Sequence, residues 1–215
     1  AVALAFSGGV DSSYLLYATR RAGCRVQPYY VKTRFQPEFE FADAKRLCAE
    51  LGAEMRVIHA DILAVDEVRA NPANRCYFCK RAIFSRILSA AQADGFSLVI
   101  DGTNASDDAS DRPGMRALRE MQVRSPLREA GLTKAEIREA SRQVGLFTWD
   151  KPAYACLATR IPAGTALDAE TLAHVERAED ALRGMGFSDL RVRVFAGAAR
   201  IQLPEAQLPA AITRR

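Results

Sequence analysis

The sequence lacks the features that mark membrane, exported and fibrous proteins. No apolar run approaches the roughly eighteen residues that a membrane-spanning helix needs, and the first residues have neither the basic segment nor the cleavage site of a secretion signal. There is no internal repeat and no low-complexity tract. Since 49% of the 215 residues are hydrophobic, the chain has enough apolar side chains for a core of ordinary size. We therefore predict a globular cytoplasmic protein with no membrane partner.

The sequence also has a small net charge and few histidines. Lys and Arg number 30 and Asp and Glu number 26, a balance compatible with a phosphorylated small substrate or with RNA that decides neither. The two histidines, His59 and His174, fall in a predicted strand and a predicted helix, so we expect neither to bind metal. Five cysteines are an odd number, which favours metal or thiol chemistry in a reducing compartment over a disulfide framework.

The first 150 residues alternate short apolar runs with helical patterns. This alternation is typical of an α/β layer with a mainly parallel sheet. The predicted strands are rich in β-branched and aromatic residues, and they cover Val2 to Phe6, Arg25 to Lys32, Met55 to Ala60 and Ser97 to Asp101. Helices are expected between them, and the clearest start is a capping box formed by Thr133 and Glu136.

The pattern changes at an irregular turn, Trp149 to Pro152. Beyond it we predict one helix and a hairpin made of Leu190 to Phe195 and Ala199 to Leu203. The sequence thus predicts a parallel-sheet α/β domain over residues 1–148 and a small C-terminal α+β domain over residues 149–215. One helix and one hairpin make a thin core, so we expect this second domain to be completed by further sequence or by oligomerisation.

A candidate phosphate loop, Ser-Gly-Gly-Val-Asp-Ser at residues 7–12, joins the first predicted strand to the first helix. Its glycines let the backbone approach an anion, its serines add donors, and the helix start adds aligned N–H groups. Asp11 would repel a bare phosphate, so we expect Mg²⁺ between its carboxylate and the phosphates. The loop matches neither the Walker nor the dinucleotide pattern. A capped Gly-Gly turn is the purely structural alternative.

The cysteines divide into two groups by their surroundings. Two are expected to be small buried hydrophobic side chains, Cys24 and Cys48. Cys76 and Cys79 form a CxxC pair before a helix, a spacing shared by zinc, redox and iron–sulfur sites. Cys156 lies in a predicted loop near Arg160, which would favour its thiolate. Three cysteines would leave one iron of a cubane cluster free to carry an exogenous sulfide.

These motifs together resemble the LarE family of ATP-dependent sulfur transferases, within the superfamily of PP-loop ATP pyrophosphatases. The resemblance extends over nearly the whole chain, and it rests on residues 7–12, 71–80, 101–104, 111–114, 125–127, 149–152 and 155–162. The Arg-Pro-Gly and Cys-Leu-Ala segments, at 112–114 and 156–158, discriminate most strongly. The resemblance implies a PP-loop, adenine nucleotide alpha hydrolase-like fold.

The resemblance also implies a reaction and its cofactors. ATP would adenylylate each carboxylate of pyridinium-3,5-biscarboxylic acid mononucleotide, and sulfur would replace AMP to give a thiocarboxylate of the nickel-pincer cofactor. Relatives with a lone cysteine at the position of Cys156 give up its sulfur, whereas relatives that also carry a CxxC are thought to use a cluster. This sequence resembles the second kind, which implies ATP, Mg²⁺ and a [4Fe-4S] cluster, and the family's oligomers imply a homo-oligomer.

Site residues follow from the matching positions. The metal ligands and catalytic residues would be Cys76, Cys79 and Cys156 for the cluster and Asp11 for Mg²⁺. ATP would be bound by Ser7, Gly8, Gly9, Asp11, Ser12, Lys32, Thr33, Gly102 and Thr103, since α/β sheets bind ligands at the carboxyl ends of their strands. The substrate would be bound by Thr159, Arg160, Arg191 and Arg193, because a guanidinium matches phosphate and carboxylate alike. For Arg191 and Arg193 an exposed strand face is almost as good an explanation. Asp107, Asp108 and Asp111 are better explained by an acidic loop than by a metal site.

Three alternatives remain open from the sequence. A tRNA thiolase would share the loop and the cysteines, but the chain has no long basic run with interleaved aromatics. An ammonia-using synthetase would leave the cysteines unused. A zinc-stabilised nucleotide-binding sensor, which is not an enzyme, would explain the CxxC pair but neither Asp11 nor Cys156.

Overall fold

A computed structural model describes residues 1–107 and 113–213. The strands are β1 (Val2–Ala5), β2 (Val26–Lys32), β3 (Arg56–His59), β4 (Val99–Asp101), β5 (Arg191–Phe195) and β6 (Ala198–Gln202). The α-helices are α1 (Val10–Arg21), α2 (Glu38–Glu50), α3 (Asp66–Arg69), α4 (Arg75–Ala93), α5 (Pro113–Glu120), α6 (Pro126–Glu129), α7 (Lys134–Gln143), α8 (Ala169–Gly184) and α9 (Leu208–Thr213). Short 3₁₀ helices cover Phe147–Asp150, Leu157–Arg160 and Glu205–Gln207.

Four parallel strands form the central sheet in the order β3-β2-β1-β4. Successive residues of β1 point to opposite faces: Leu4 packs in one core cluster with side chains of α1, α2 and α7, and Ala3 packs in another with side chains of α4 and α5. Because helices cover both faces, the central strands are apolar along most of their length. The expected α/β class and parallel sheet are confirmed.

The strand order decides where the loops meet. Strands β1 and β4 are neighbours, with Ala5 opposite Asp101, so their carboxyl ends lie side by side at one edge of the sheet. The loop at residues 7–9 and the segment that begins at Gly102 therefore lie next to each other. Loops at this edge are where α/β sheets commonly bind ligands.

The chain beyond residue 149 packs against the first part through a shared core. Phe35, Ile62 and Val68 of the first part form one cluster with side chains that follow Cys156 and with others on α8. The antiparallel pair β5-β6 follows α8, and β6 is exposed along its whole length. The segment that carries Cys156 is thus held between the two parts of the chain.

Most local expectations are confirmed. The four predicted parallel strands and the hairpin are present, and the capping box is complete: the Thr133 N–H donates to Glu136 at 2.8 Å while the Glu136 N–H donates back to the Thr133 hydroxyl at 3.3 Å. Cys48 is buried as expected. The expectation for Cys24 is wrong, because β2 begins only at Val26 and Cys24 lies in the exposed turn before it. None of the described helices has the length and apolarity needed to cross a bilayer.

Candidate functional site

The polar groups of the phosphate loop form a local hydrogen-bond network. The hydroxyls of Ser7 and Ser12 lie 3.0 Å apart, and the Ser12 hydroxyl donates to the Gly9 carbonyl at 3.3 Å. Helix α1 begins immediately after Gly9, so the N–H groups of its first turn have no acceptor within the helix. The loop therefore presents free donors and the positive end of a helix dipole, an arrangement that binds anions.

Two glycines make this arrangement possible. Gly8 has φ +72°, and a Cβ there would lie 2.8 Å from the Ala44 Cβ on α2. A Cβ at Gly102 would lie 2.8 Å from the backbone nitrogen of Ser12. Only glycine lets these backbone segments approach so closely, hence Gly8 and Gly102 allow the loop, α2 and the end of β4 to pack together.

One carboxylate oxygen of Asp11 is paired and the other is not. Its Oδ2 accepts from Lys134 Nζ at 2.6 Å, whereas its Oδ1 is buried and has no hydrogen-bond partner within the described part of the chain. Hard divalent cations prefer carboxylate oxygens and phosphate together. An orphaned carboxylate oxygen beside anion-binding N–H groups therefore fits the expected Mg²⁺.

A cavity of about 310 Å³ opens on one side of the loop. One wall is polar and comprises Ser7, Asp11, Ser12, Asp101, Gly102, Thr103 and Asp107. The facing wall on α4 is apolar except for Lys80 and includes Ile83, Phe84 and Ile87. Burial lowers the pKa of Lys80, against the opposing charges of Asp101 and Asp107. A cavity with one polar and one apolar wall suits a nucleoside whose phosphates reach the loop.

A second cavity, of about 330 Å³, lies on the other side of the loop. Ser7, Gly9 and Asp11 line it together with Cys156, and Lys134, Arg138 and Lys151 contribute three basic residues. The structure thus brings the phosphate loop and the loop cysteine to the same space, although about 145 residues separate them in the sequence.

The three cysteines of interest lie around the N-terminus of α4. Cys76 is exposed, whereas Cys79 and Cys156 are half-buried. Burial, with smaller contributions from the sulfurs of Cys156 and Cys76, raises the pKa of Cys79 to about 12 against the opposing charge of Arg75. Burial also raises the pKa of Cys156, which Arg75 lowers and Cys76 raises. Arg75 and Cys76 thus act on the pKa values of both thiols.

The cation at Cys156 is Arg75. Its Nη2 lies 3.8 Å from the Cys156 sulfur, whereas Arg160, expected from the sequence to play this part, is only 1% exposed and pairs with Glu179 at 2.7 Å. Over residues 1–107 and 113–213, no group of three or more His, Cys, Asp or Glu side chains is arranged to hold a metal ion. A [4Fe-4S] cluster distributes its protein ligands over several irons, so these ligands need not converge on one ion. What fits a cluster here is therefore only the type of ligand, which is three cysteine sulfurs near a buried guanidinium.

The expected substrate-binding residues are engaged within the protein. The Arg160 guanidinium also donates to the Ala155 carbonyl at 3.0 Å and to the Thr159 hydroxyl at 2.9 Å. Arg191 donates to the Ala153 carbonyl at 3.2 Å and Arg193 to the Thr159 carbonyl at 2.7 Å. Neither cavity beside the loop is lined by Thr159 or by any of these arginines. In this structure they hold the segment that carries Cys156.

Lys32 and Thr33 also lie apart from the loop. They line a third cavity with His59, Asp61 and residues of α8, and Lys32 pairs with Glu38 at 2.7 Å. Of the acidic residues near position 110, Asp107 lines the first cavity, while Asp108 and Asp111 lie outside the described residues.

Sequence reasoning missed the roles of three cations, Arg75, Lys80 and Lys134. Each had a local signal, because Arg75 and Lys80 flank the CxxC pair and Lys134 follows the N-cap of α7. What the sequence does not show is that these side chains converge on the loop and on Cys156.

Comparison with known proteins adds to this geometry. No family model matches the chain. It is 38% identical over 208 residues to an uncharacterized protein of Synechocystis, covering 95% of this chain and 77% of that one. It is 35% identical over 209 residues to the pyridinium-3,5-bisthiocarboxylic acid mononucleotide synthase of Lactiplantibacillus plantarum, covering 96% and 76%. The chain belongs to the LarE family. LarE proteins are ATP-dependent sulfur transferases, and the chain is accordingly an enzyme of that class.

A more distant relative supports the superfamily. The tRNA-specific 2-thiouridylase MnmA of Pseudothermotoga lettingae is 24% identical over 186 residues, covering 70% of this chain and 53% of that one. The parallel sheet with a Ser-Gly-Gly loop after β1 therefore identifies this LarE-family chain as a PP-loop protein.

Proposed function

We propose that this enzyme adenylylates the two carboxylates of pyridinium-3,5-biscarboxylic acid mononucleotide and replaces each AMP with sulfur, for the nickel-pincer cofactor. The relative from Lactiplantibacillus plantarum is a synthase of the corresponding bisthiocarboxylic acid mononucleotide. The proposal assigns the same product to this chain. Its substrate is thus a small anionic nucleotide rather than RNA.

The observation that carries the proposal is the cavity shared by the phosphate loop and Cys156. Activation of a carboxylate and its attack by sulfur must occur at the same carbon, so the two groups have to meet at one place. Three basic residues line this cavity, Lys134, Arg138 and Lys151, against the two carboxylates of Asp11 and Glu40. The small excess of positive charge favours an anionic substrate such as a dicarboxylate mononucleotide. The adenosine of ATP would lie on the other side of the loop, against the apolar wall of α4.

In the first step a substrate carboxylate oxygen attacks the α-phosphorus of ATP. The bond from that phosphorus to the oxygen bridging the α and β phosphates breaks, and pyrophosphate leaves. The loop N–H groups and the hydroxyls of Ser7 and Ser12 would hold the departing phosphates, and Asp11 would hold the Mg²⁺ that neutralises them. Gly8, Gly9, Gly102 and Thr103 shape the same site.

In the second step a sulfur nucleophile attacks the acyl carbon and AMP leaves with the electrons of the carbon–oxygen bond. We assign delivery of this sulfur to Cys156 together with Cys76 and Cys79. A [4Fe-4S] cluster held by these three sulfurs would supply an iron with no protein ligand, at which a further sulfide can be carried. The buried Arg75 beside the sulfurs supports an anionic group at this position.

The proposal also covers the domain organisation and the oligomeric state. We propose two structural units, residues 1–148 and 149–215, and a homo-oligomer in which neighbouring subunits cover the second unit. Large apolar side chains exposed on this part of the chain support the oligomer, and they include Phe195, Ile201 and Ile212 at 51%, 53% and 60% exposure. By the register of the hairpin, Phe195 and Ile201 lie on opposite faces of β5-β6, so each face of this two-stranded sheet exposes a large apolar side chain.

The test separates the two steps with two variants. Cys156→Ala should still release pyrophosphate when ATP and the biscarboxylate are present, yet form no thiocarboxylate detectable by mass spectrometry. In Asp11→Ala the rate of pyrophosphate release should fall at least about a hundredfold, because the substitution removes the proposed Mg²⁺ ligand. Cys24→Ala, which changes an exposed cysteine far from the loop, is the matched control and should retain both steps.

Two results would contradict the proposal. Thiocarboxylate formation by Cys156→Ala would remove that residue from sulfur delivery. Intact ATP with the wild-type protein and the biscarboxylate would remove the activity itself.

A further inference from the structure

Arg75 is a buried cation that has no carboxylate partner among residues 1–107 and 113–213. Arg75 is the first residue of α4 and is only 7% exposed. The guanidinium donates through Nη1 to the Asn71 side-chain oxygen and, at 3.2 Å, to the Ala158 carbonyl. Both acceptors are neutral, so neither compensates its charge.

Two other well-buried cations in the described part of the chain are paired with carboxylates. Arg160 has Glu179 at 2.7 Å, and Lys151 has Glu40 at 3.0 Å and Asp43 at 2.8 Å. A charge removed from water without a partner is costly, which is why buried charges are almost always paired. Arg75 departs from this rule within the same molecule.

The open side of Arg75 faces sulfur. Its Nη2 lies 3.8 Å from the Cys156 sulfur, and its positive charge also lowers the pKa of Cys79. Its Nε is buried and has no hydrogen-bond partner among the residues that the structure describes. The side chain therefore retains both an unused donor and an uncompensated charge beside the Cys156 sulfur.

We propose that Arg75 is the counter-ion of the sulfur site, a positioning residue that holds anionic sulfur beside Cys156. The proposal rests on the sulfur delivery proposed above and adds to it the group that retains the negative sulfur species. Asn71, whose amide also donates to the Pro162 and Thr165 carbonyls at 2.9 and 3.0 Å, fixes the guanidinium relative to the Cys156 segment. Arg75 thereby links α4, which carries the CxxC pair, to the third cysteine.

The test compares two alkylating reagents of similar size at Cys156, anionic iodoacetate and neutral iodoacetamide. Both react with the same thiolate, so the ratio of their rates reports local positive charge and is independent of how much thiolate is present. The ratio is measured on the full chain by mass spectrometry of the Cys156 peptide. Cys24, exposed and far from Arg75, is the internal reference in the same sample.

In the wild-type protein the ratio at Cys156 should exceed that at Cys24 by about fivefold, as a difference in local potential of about 1.6 kT on one unit charge produces. Arg75→Met should abolish the difference and Arg75→Lys should keep most of it. Arg81→Met, on the exposed side of the same helix, is the control and should leave it unchanged. A ratio at Cys156 equal to that at Cys24 in the wild type would overturn the proposal without any variant. A native Arg75→Met protein with an unchanged ratio would also overturn it.

Iron loading provides the second readout. After anaerobic reconstitution with iron and sulfide, Arg75→Lys should retain the wild-type iron content and Arg75→Met should lose at least half of it. Equal loading of Arg75→Met and the wild type would count against the role of Arg75. Failure of the wild type to bind iron would instead refute the cluster, while the alkylation ratio would still decide on Arg75.

Discussion

Glu179→Gln should destabilise the segment that carries Cys156, although Glu179 contacts neither cavity beside the phosphate loop. The Glu179 carboxylate is fully buried and accepts five hydrogen bonds. Its donors are Tyr154 Oη at 2.6 Å, Arg160 Nε and Nη2 at 2.7 and 3.2 Å, Arg183 Nη2 at 3.1 Å and Val192 N at 3.0 Å. One side chain thus joins α8 and β5 to both sides of Cys156.

The expected cost follows from the charge that glutamine removes. Glutamine preserves the volume but leaves Arg160 buried without a counter-ion and offers one acceptor oxygen instead of two. Breaking a buried ion pair by removing one partner costs about 3–5 kcal/mol of unfolding free energy. For a chain of this size each kcal/mol corresponds to roughly 2–4 °C, so the melting temperature should fall by roughly 10 °C.

The stability difference between the wild type and Glu179→Gln should decrease at low pH. Burial raises the pKa of Glu179, but hydrogen bonds from Arg160, Tyr154 and the Val192 N–H lower it more, so the pKa lies below its usual value. The stability gained from this ionised group is therefore fully present above the ordinary glutamate pKa of about 4.3. It is lost as the pH falls through the lower folded-state value. The wild type and Glu179→Gln should converge in stability below about pH 4.

The assay is urea unfolding followed by circular dichroism at pH 7 and at pH 3.5, with pyrophosphate release and thiocarboxylate formation measured at pH 7. Sulfur transfer should fall more than pyrophosphate release, because the loop and Asp11 do not contact Glu179. Glu170→Gln, an exposed carboxylate on the same helix, is the control and should change stability by less than about 0.5 kcal/mol. A loss below about 1 kcal/mol for Glu179→Gln at pH 7 would refute the reasoning, as would a difference that widens at low pH.

Two further predictions concern the loop and the cysteines. Gly102→Ala should weaken ATP binding, measured by calorimetry, about tenfold, because its Cβ would lie 2.8 Å from the Ser12 nitrogen. The control is Gly184→Ala, which has open space around its Cβ and should bind ATP as the wild type does. Equal ATP affinities of Gly102→Ala and the wild type would contradict the close approach. Since burial raises the pKa of Cys79 to about 12, its alkylation by iodoacetamide in the metal-free protein should be slow at pH 8 and rise with pH beyond 10, whereas a rate that levels off near pH 8 would contradict the burial.

The sequence alone indicated the layered α/β fold because its signals are local. Apolar runs such as Val2 to Phe6 predict strands, and a capping box such as that of Thr133 predicts a helix start, wherever the chain later folds. The Ser-Gly-Gly loop likewise carries its chemistry within six residues. The exposed Cys24 shows the limit, since a shift of one or two residues at the start of a strand changes burial.

The site could be predicted in its residue types but not in its pairings. Arg160 follows Cys156 closely in sequence, yet the fold turns it to the buried Glu179 and brings Arg75, 81 residues away, to the sulfur. Arg191 and Arg193 likewise alternate along a strand as an exposed face would, but they donate to the backbone of the Cys156 segment.

Sequence by itself determined the layers of the fold, the phosphate loop and the three cysteines, because propensity, hydrophobic period and helix capping act between near neighbours. Only the tertiary structure decided that Asp11 and Cys156 share a cavity, that Lys134 pairs with Asp11 and that Arg75 lies beside the sulfurs. These contacts join residues about 80 to 145 positions apart. Burial and charge compensation are properties of the packed chain, and they determine which of several possible cations meets each anionic group.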